Sequence, residues 1–344
     1  MADGGAVSRL WYGEGKGAAA ARALLAPASA LYAGAAALRG ALYDTGLLRA
    51  QAGAIPAVSI GNITVGGTGK TPVAAWFAAE LRARGAMPAI VLRGYGDDEP
   101  LVHARLNPGV PVIVEPDRVA GIARAAAAGA DVAVLDDAFQ HRRAARTADV
   151  VLVSADRWPA VARRLPAGPF REPPSSLRRA TLLLITRKAA GDDAVARVRA
   201  DLAAAAPGVP VAVMALPLDG LRRTGGGAPE PIGALQGAAV LAISAVGDPG
   251  AFAAQLAAAG ARVRARAFPD HHAFTAAEAE ALAASLAPGE RPVCTLKDHV
   301  KLDTLWPRQA PPLWYVSQQP KVQAGGDALD EVLATLLRAR STQS

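Results

Sequence analysis

Short apolar runs recur along the chain between stretches with helical spacing. Ala57–Gly61 (AVSIG), Pro88–Leu92 (PAIVL), Val110–Val114, Asp131–Leu135 (DVAVL), Val150–Val153 and Thr181–Ile185 (TLLLI) lack the alternation of a half-solvated strand. They read as strands covered on both faces, which is the signature of a parallel sheet. A helix is predicted over Thr71–Arg84, and the tracts Ala123–Ala128 and Ala203–Ala206 are good helix formers. A second αβ pattern begins with strand Ala238–Ser244 and helix Pro249–Ala259. It continues with strands Arg262–Phe268 and Pro292–Leu296 and ends in a helix over Asp327–Arg338. Between the two patterns, Gly220–Gly233 holds five Gly and two Pro and reads as a hinge. Arg163–Ser176, rich in Pro and Arg, reads as a surface loop. The predicted organisation is an N-terminal segment over 1–48, a core over 49–219 and a smaller α/β subdomain over 234–344.

The N-terminal segment has its own pattern. Arg22 and Arg39 bracket a charge-free stretch, Ala23–Leu38, that contains Pro27 and Gly34. As a helix these sixteen residues rise about 24 Å, short of the roughly 30 Å hydrocarbon core of a bilayer. Three readings stay open: a core helix, a signal peptide, or an interfacial anchor. In the last, Trp11, Tyr12 and Tyr32 lie near headgroups, with Arg9, Lys16, Arg22 and Arg39 on anionic lipid.

Composition narrows the class. The 344 residues are 51% hydrophobic and 19% charged, enough for a full core and unlike a disordered chain. One cysteine, Cys294 in a predicted strand, excludes an internal disulfide or a cysteine metal site. Lys+Arg exceed Asp+Glu by 37 − 30, a net charge of +7. That balance admits anionic partners without choosing among nucleotide, nucleic acid and acidic membrane. Aromatic–basic interleaving is absent, so no nucleic-acid partner is expected.

The strongest chemical signal follows the first strand: Gly61-Asn62-Ile63-Thr64-Val65-Gly66-Gly67-Thr68-Gly69-Lys70-Thr71-Pro72. A Gly-rich turn between strand and helix lets backbone N–H groups of Thr64–Thr71 wrap a phosphate chain. Lys70 then reaches the outer phosphates and the Thr71 hydroxyl holds Mg²⁺. Thr64 stands where the strict motif has its first Gly. Pro72 suits the first helical turn, where its missing N–H costs nothing. The fold class is therefore α/β, a P-loop NTPase-type sheet. Such a site needs an acid at a nearby strand end, and the run Asp131–Asp137 supplies Asp136 and Asp137 as candidate metal ligands, one of which should bind Mg²⁺ directly or through water. The polar run Gln140-His141-Arg142-Arg143 follows, at the sheet edge where a phosphorylated substrate could lie.

With these motifs in view, the sequence resembles the tetraacyldisaccharide 4′-kinase family along most of its length. Matching runs are Leu24–Tyr32, the Gly-Asn-x-Thr start of the loop, Arg93-Gly94-Tyr95-Gly96, and Asp98-Glu99-Pro100. Further on come Asp136–Arg142 (Ala138 in place of the usual Gly), Leu165–Glu172, Val246–Pro249, Asp270-His271 and Thr295–Lys301 with Leu296 in place of Glu. One departure is clear: the family has a longer connection between R-G-Y-G and D-E-P, whereas here Gly96 leads at once to Asp97 and Asp98. The resemblance implies transfer of the γ-phosphate of ATP, with Mg²⁺, to the 4′-hydroxyl of a tetraacyldisaccharide 1-phosphate. It implies Asp98 as the base, His271 from the second domain as its partner, and Lys70 as the charge-neutralising group. The site would then lie between domains, with the Gly220–Gly233 hinge closing it. Gln140, His141, Arg142 and Arg171 become candidates for the lipid substrate. The acyl chains move Ala23–Leu38 towards an interfacial anchor on the cytoplasmic face of a bacterial inner membrane, and the enzyme is expected to act as a monomer. A membrane-associated P-loop ATPase or GTPase switch is the alternative. It would not require Asp98 and His271. A metal reading of His271, His272 and Asp270 is disfavoured, because adjacent His side chains point apart.

Overall fold

The computed structural model describes residues 4–94 and 98–341. Tyr95 and Gly96 of the R-G-Y-G run, and Asp97, lie outside the described residues. The chain starts with helices α1 (Gly4–Tyr12) and α2 (Lys16–Asp44), then alternates strand and helix. In order come β1 (Ala57–Asn62), α3 (Lys70–Ala83), β2 (Pro88–Leu92), α4 (Asp98–Leu106), β3 (Val112–Val114), α5 (Arg118–Ala127), β4 (Val132–Asp136), β5 (Ala148–Ser154), β6 (Leu182–Arg187), α6 (Asp192–Ala205) and β7 (Val211–Ala215). The second αβ run holds β8 (Arg222–Arg223), β9 (Ala239–Ser244), α7 (Pro249–Ala258), β10 (Arg262–Ala267), α8 (Ala276–Ala284), β11 (Arg291–Thr295), α9 (Leu296–Leu302) and β12 (Trp314–Val316). The chain ends with β13 (Lys321–Ala324) and α10 (Gly326–Ser341).

The chain folds into two compact units. The first holds the described residues through 94 with 103–215 and those from 322 on; the second holds 98–102 and 216–321. In the first, eight strands run in the order β13-β7-β6-β5-β1-β4-β2-β3, and the pairs from β7 to β3 are parallel. β1, β2 and β4 are buried at every position, as their unbroken apolar runs predict. Ile122 and Ala125 of α5 bury against Ala89, Val91, Ala133 and Leu135. Val198 and Leu202 of α6 do the same against Leu183 and Ile185. The second unit is a five-stranded sheet, β10-β9-β11-β12-β8, parallel except for β12–β8.

Three expectations are corrected. The glycine-rich stretch 220–233 is not a hinge. Leu221 and Glu230 exchange both backbone hydrogen bonds at 2.8 and 2.9 Å, and Gly225, Gly226 and Gly227 take the left-handed φ values that close this hairpin inside the second unit. The C-terminal helix belongs to the first unit, because Leu329, Val332, Leu333 and Leu336 of α10 are buried where that helix packs on α3, β6 and β7. The N-terminal helix is longer than its charge-free stretch: α2 has 29 residues, with Arg22 and Arg39 inside it. By length and composition alone it could cross a membrane.

None of the residues of α2 is buried. Its polar groups nevertheless fasten it to the first unit. Ser29 Oγ accepts from Ala167 N at 3.0 Å, Arg39 donates to the Gln140 carbonyl at 2.9 Å, and Arg142 donates to the Gly40 carbonyl at 3.1 Å and to Asp44 at 2.7 Å. Trp11 Nε1 donates to the Pro166 carbonyl at 2.9 Å. Leu24, Leu31 and Leu38 recur every seven residues, share one face of the helix and stand in solvent.

Candidate active site

β1 ends at Asn62, and the chain turns through Ile63–Gly69 into the N-terminus of α3. Gly66 (φ 122°) and Gly69 (φ 85°) take backbone conformations that a side chain would strain. The loop is gripped from several sides. Asn62 Nδ2 donates to Thr68 Oγ1 at 2.9 Å, Thr186 Oγ1 to the Thr68 carbonyl at 2.8 Å, and Lys188 Nζ to the Gly67 carbonyl at 3.1 Å. Lys70 is the first residue of α3 and Thr71 the second. The unpaired N–H groups at such a helix start favour an anion.

Parallel pairing sets Asp136, the last residue of β4, level with Ile60 of β1. This brings the acid pair to the loop. The two carboxylates then part company. Asp136 is buried, its Oδ2 accepts from His103 Nε2 at 2.9 Å, and its Oδ1 is buried without a protein partner. Asp137 takes a left-handed φ of 49°. Its carboxylate lies 3.7 Å from Lys70 Nζ and takes Arg171 Nη1 at 3.0 and 3.1 Å. Burial pushes the Asp137 carboxyl up, but Lys70 and Arg171 outweigh it and hold the group below its ordinary range.

The residues after Asp137 pack directly on β1. A Cβ on Gly61 would sit 2.5 Å from Phe139 Cβ, so only glycine admits this approach. Gln140 Nε2 donates to the Asn62 carbonyl at 2.8 Å, and its Oε1 faces Arg171 Nη1 at 3.4 Å. Burial, with Arg118 and Arg93 close by, pushes the His141 imidazole down to about 4. The Arg142 guanidinium hydrogen-bonds Asp44 and the Gly40 carbonyl of α2. Arg171 faces the acid pair rather than open solvent.

The other candidates meet in the second unit. Asp98 opens α4 and is 4% exposed, so it is not the solvated acid that its acidic run suggests. Its Oδ2 has no hydrogen-bond partner. It is ringed by His271 Nδ1 at 3.7 Å and by Lys297 Nζ and Lys301 Nζ, each at 3.9 Å. His271 has a left-handed φ of 59°. Lys297 Nζ lies 3.0 Å from His271 Nε2. An ammonium can only donate, so Nε2 accepts and the ring proton sits on Nδ1, facing Asp98. Burial raises the Asp98 carboxyl, but His271, Lys297 and Lys301 outweigh it and hold it below its ordinary range.

Lys297 and Lys301 stand one turn apart on α9. The sequence showed them as part of a motif without a role, although their i,i+4 spacing puts both on one helix face. α9 is capped by Thr295, whose Oγ1 accepts from Asp298 N at 3.1 Å. Lys301 Nζ also lies 3.3 Å from the buried Asp298 Oδ1. Burial holds the Asp298 carboxyl above its ordinary range. His272 points away to Glu278, at 3.0 Å, and stacks on Phe268. Among the described residues no group of three or more His, Cys, Asp or Glu forms a metal cluster.

A family model described as tetraacyldisaccharide-1-P 4′-kinase matches residues 21–98 and 96–338. The chain belongs to this family. The two matched segments overlap at 96–98. A tetraacyldisaccharide 4′-kinase of Anaeromyxobacter sp. (strain Fw109-5) is 43% identical over 327 residues, covering 86% of this chain and 87% of the relative. That of Halorhodospira halophila is 38% identical, covering 92% and 94%. The crystal structure of LpxK from Aquifex aeolicus in complex with ATP aligns with a TM-score of 0.71 and 27% identity, over 92% of this chain and 99% of that one. The chain is thus a kinase of lipid A biosynthesis, an ATP-dependent phosphotransferase.

Proposed function

We propose that Lys70, Asp136 and Asp98 carry the transfer of the ATP γ-phosphate to the 4′-hydroxyl of a tetraacyldisaccharide 1-phosphate. Phosphoryl transfer needs positioning and charge neutralisation more than covalent help. The Thr64–Thr71 loop would cradle the phosphates, with Lys70 on the developing charge. Mg²⁺ fits beside it: the Thr71 hydroxyl and the orphaned Oδ1 of Asp136 are hard oxygen donors, the type this ion prefers. When bound, the ion screens phosphate charge. Asp137, held by Lys70 and Arg171, positions those cations instead of ligating metal.

The observation that carries the acceptor half is the buried Asp98 carboxylate, whose Oδ2 faces His271, Lys297 and Lys301. Held ionised by His271, Lys297 and Lys301, it accepts the 4′-hydroxyl proton as the new O–P bond forms and the bond from the γ-phosphorus to the bridging oxygen breaks, with ADP leaving. His271 Nδ1–H restrains the carboxylate. Gln140, His141 and Arg171 lie beside the acid pair and supply polar contacts to the disaccharide or its 1-phosphate. The exposed leucine face of α2 would rest in an anionic bilayer surface, on the cytoplasmic side where ATP is available.

The test is transfer of label from γ-labelled ATP to tetraacyldisaccharide 1-phosphate in detergent micelles with Mg²⁺. Labelled lipid is expected from wild type and not from Lys70→Ala or Asp98→Ala. ATP hydrolysis without labelled lipid would overturn the proposal, and a wild-type rate from Asp98→Ala would remove Asp98 as the base.

A further inference from the structure

His103 lies on α4, five residues beyond Asp98, and is fully buried. Nothing in the sequence marks it: a single His in a short polar helix carries no motif. In the first unit its Nε2 reaches Asp136 Oδ2 at 2.9 Å. A carboxylate only accepts, so Nε2 is the donor. Nδ1 is itself buried without a hydrogen-bond partner. The ring therefore spends a donor on Asp136 and leaves its other nitrogen unsatisfied, an arrangement costly enough to need a reason.

The reason lies in what the bond leaves over. Asp136 has two oxygens. One is occupied by His103, and the other, Oδ1, is buried with no protein partner. Arg118 Nη2 donates to the backbone carbonyl of the same residue at 3.2 Å, fixing the strand end from behind. With χ rotation stopped by the His103 bond, the carboxylate presents a single oxygen in a single direction.

We propose that His103 is a positioning residue for a divalent cation: its Nε2–H locks Asp136 so that Oδ1 alone is offered to the metal. The inference rests on the reading of Asp136 as the cation ligand given above. Partners that orient ligating carboxylates typically contribute roughly ten- to a hundredfold to metal affinity. A purely structural histidine would contribute to folding and not to cation affinity.

The experiment measures Mn²⁺ binding to the full chain at saturating ADP by electron paramagnetic resonance, and ADP binding without metal by calorimetry. His103→Met fills similar volume but cannot donate; His103→Gln keeps a donor near the Nε2 position. His103→Met is expected to weaken Mn²⁺ binding about tenfold or more while metal-free ADP binding stays unchanged. His103→Gln is expected to restore most of the Mn²⁺ affinity. Asp136→Asn is the control. If Asp136→Asn binds Mn²⁺ like wild type, the cation-ligand reading itself fails. If Asp136→Asn loses Mn²⁺ but both His103 variants keep wild-type affinity, the positioning role is overturned. Should His103→Met not fold, ¹⁵N NMR of the wild-type imidazole decides. The His103 Nε2 resonance is expected to shift when Mg²⁺ joins bound ADP, and an unmoved resonance overturns the proposal.

Discussion

Arg171 Nη1 lies 3.0 and 3.1 Å from the two carboxylate oxygens of Asp137, and so takes up the acid that stands next to Asp136 in the chain. The two neighbouring acids thus differ in their surroundings. Asp137 is saturated by cations of the protein, whereas Asp136 keeps one buried oxygen free. Asp136→Asn is expected to raise the Mg²⁺ concentration for half-maximal rate by about tenfold or more, and Asp137→Asn by less than about threefold. Mg²⁺ titrations of both variants at fixed ATP check this. The reverse order would exchange the two roles.

Asp98 gives a second expectation, in pH. Its folded carboxyl lies below the ordinary range because His271, Lys297 and Lys301 overcome burial. A base with a lowered pKa stays ionised to lower pH. Removing a neighbouring cation lets burial reassert itself and moves the pKa up. In Lys301→Met the acidic limb of the kcat/KM profile should therefore shift to higher pH, with the plateau at alkaline pH less affected. Asp98→Asn should lose about 10²- to 10⁴-fold in kcat, the usual contribution of a general base. An unshifted acidic limb in Lys301→Met would separate that lysine from the base.

How far the sequence reached depended on the length of the signal. The parallel sheet, the phosphate loop and the acidic strand end were legible because each is a local pattern. Ala57–Gly61, Pro88–Leu92 and Asp131–Leu135 fall on β1, β2 and β4. What was not legible depends on distant partners. Asp98 looks like a solvated acid until α9 brings Lys297 and Lys301 beside it. Gly220–Gly233 looks like a hinge until Leu221 finds Glu230. α10 was read correctly as a helix but assigned to the wrong unit, since an amphipathic pattern does not say which sheet it covers. Arg142 looked free for a phosphate, and only the placement of α2 shows it engaged.

His141 predicts a pH-dependent stability. Burial, with Arg118 and Arg93, lowers its folded pKa from 6.5 to about 4. Between those values the unfolded chain binds a proton that the folded chain refuses, so protonation favours unfolding. Stability from this group is fully present above pH 6.5 and is lost as pH falls towards about 4. His141→Gln cannot titrate, and its urea midpoint should fall less than that of wild type between pH 7 and pH 5. Equal losses in the two proteins would assign the acid sensitivity elsewhere.

The last expectation concerns α2. Leu24 and Leu31 are 83% and 77% exposed, so they contribute little to the fold of the chain in water. Buried in a bilayer interface, each would contribute about 1.5 kcal/mol or more, roughly a tenfold change in partitioning per residue. The double variant Leu24→Asp/Leu31→Asp should therefore keep the wild-type melting temperature. It should also lose on the order of a hundredfold in binding to phosphatidylglycerol vesicles, with extra loss from charge repulsion. The bonds that tie α2 to Gln140, Ala167 and Arg142 involve Arg39, Ser29, Gly40 and Asp44, none of them changed. Co-sedimentation with vesicles, set against label transfer in detergent micelles, separates membrane docking from chemistry. A variant that sediments like wild type would remove the leucine face as the docking surface. One that unfolds early would show that the face packs within the protein.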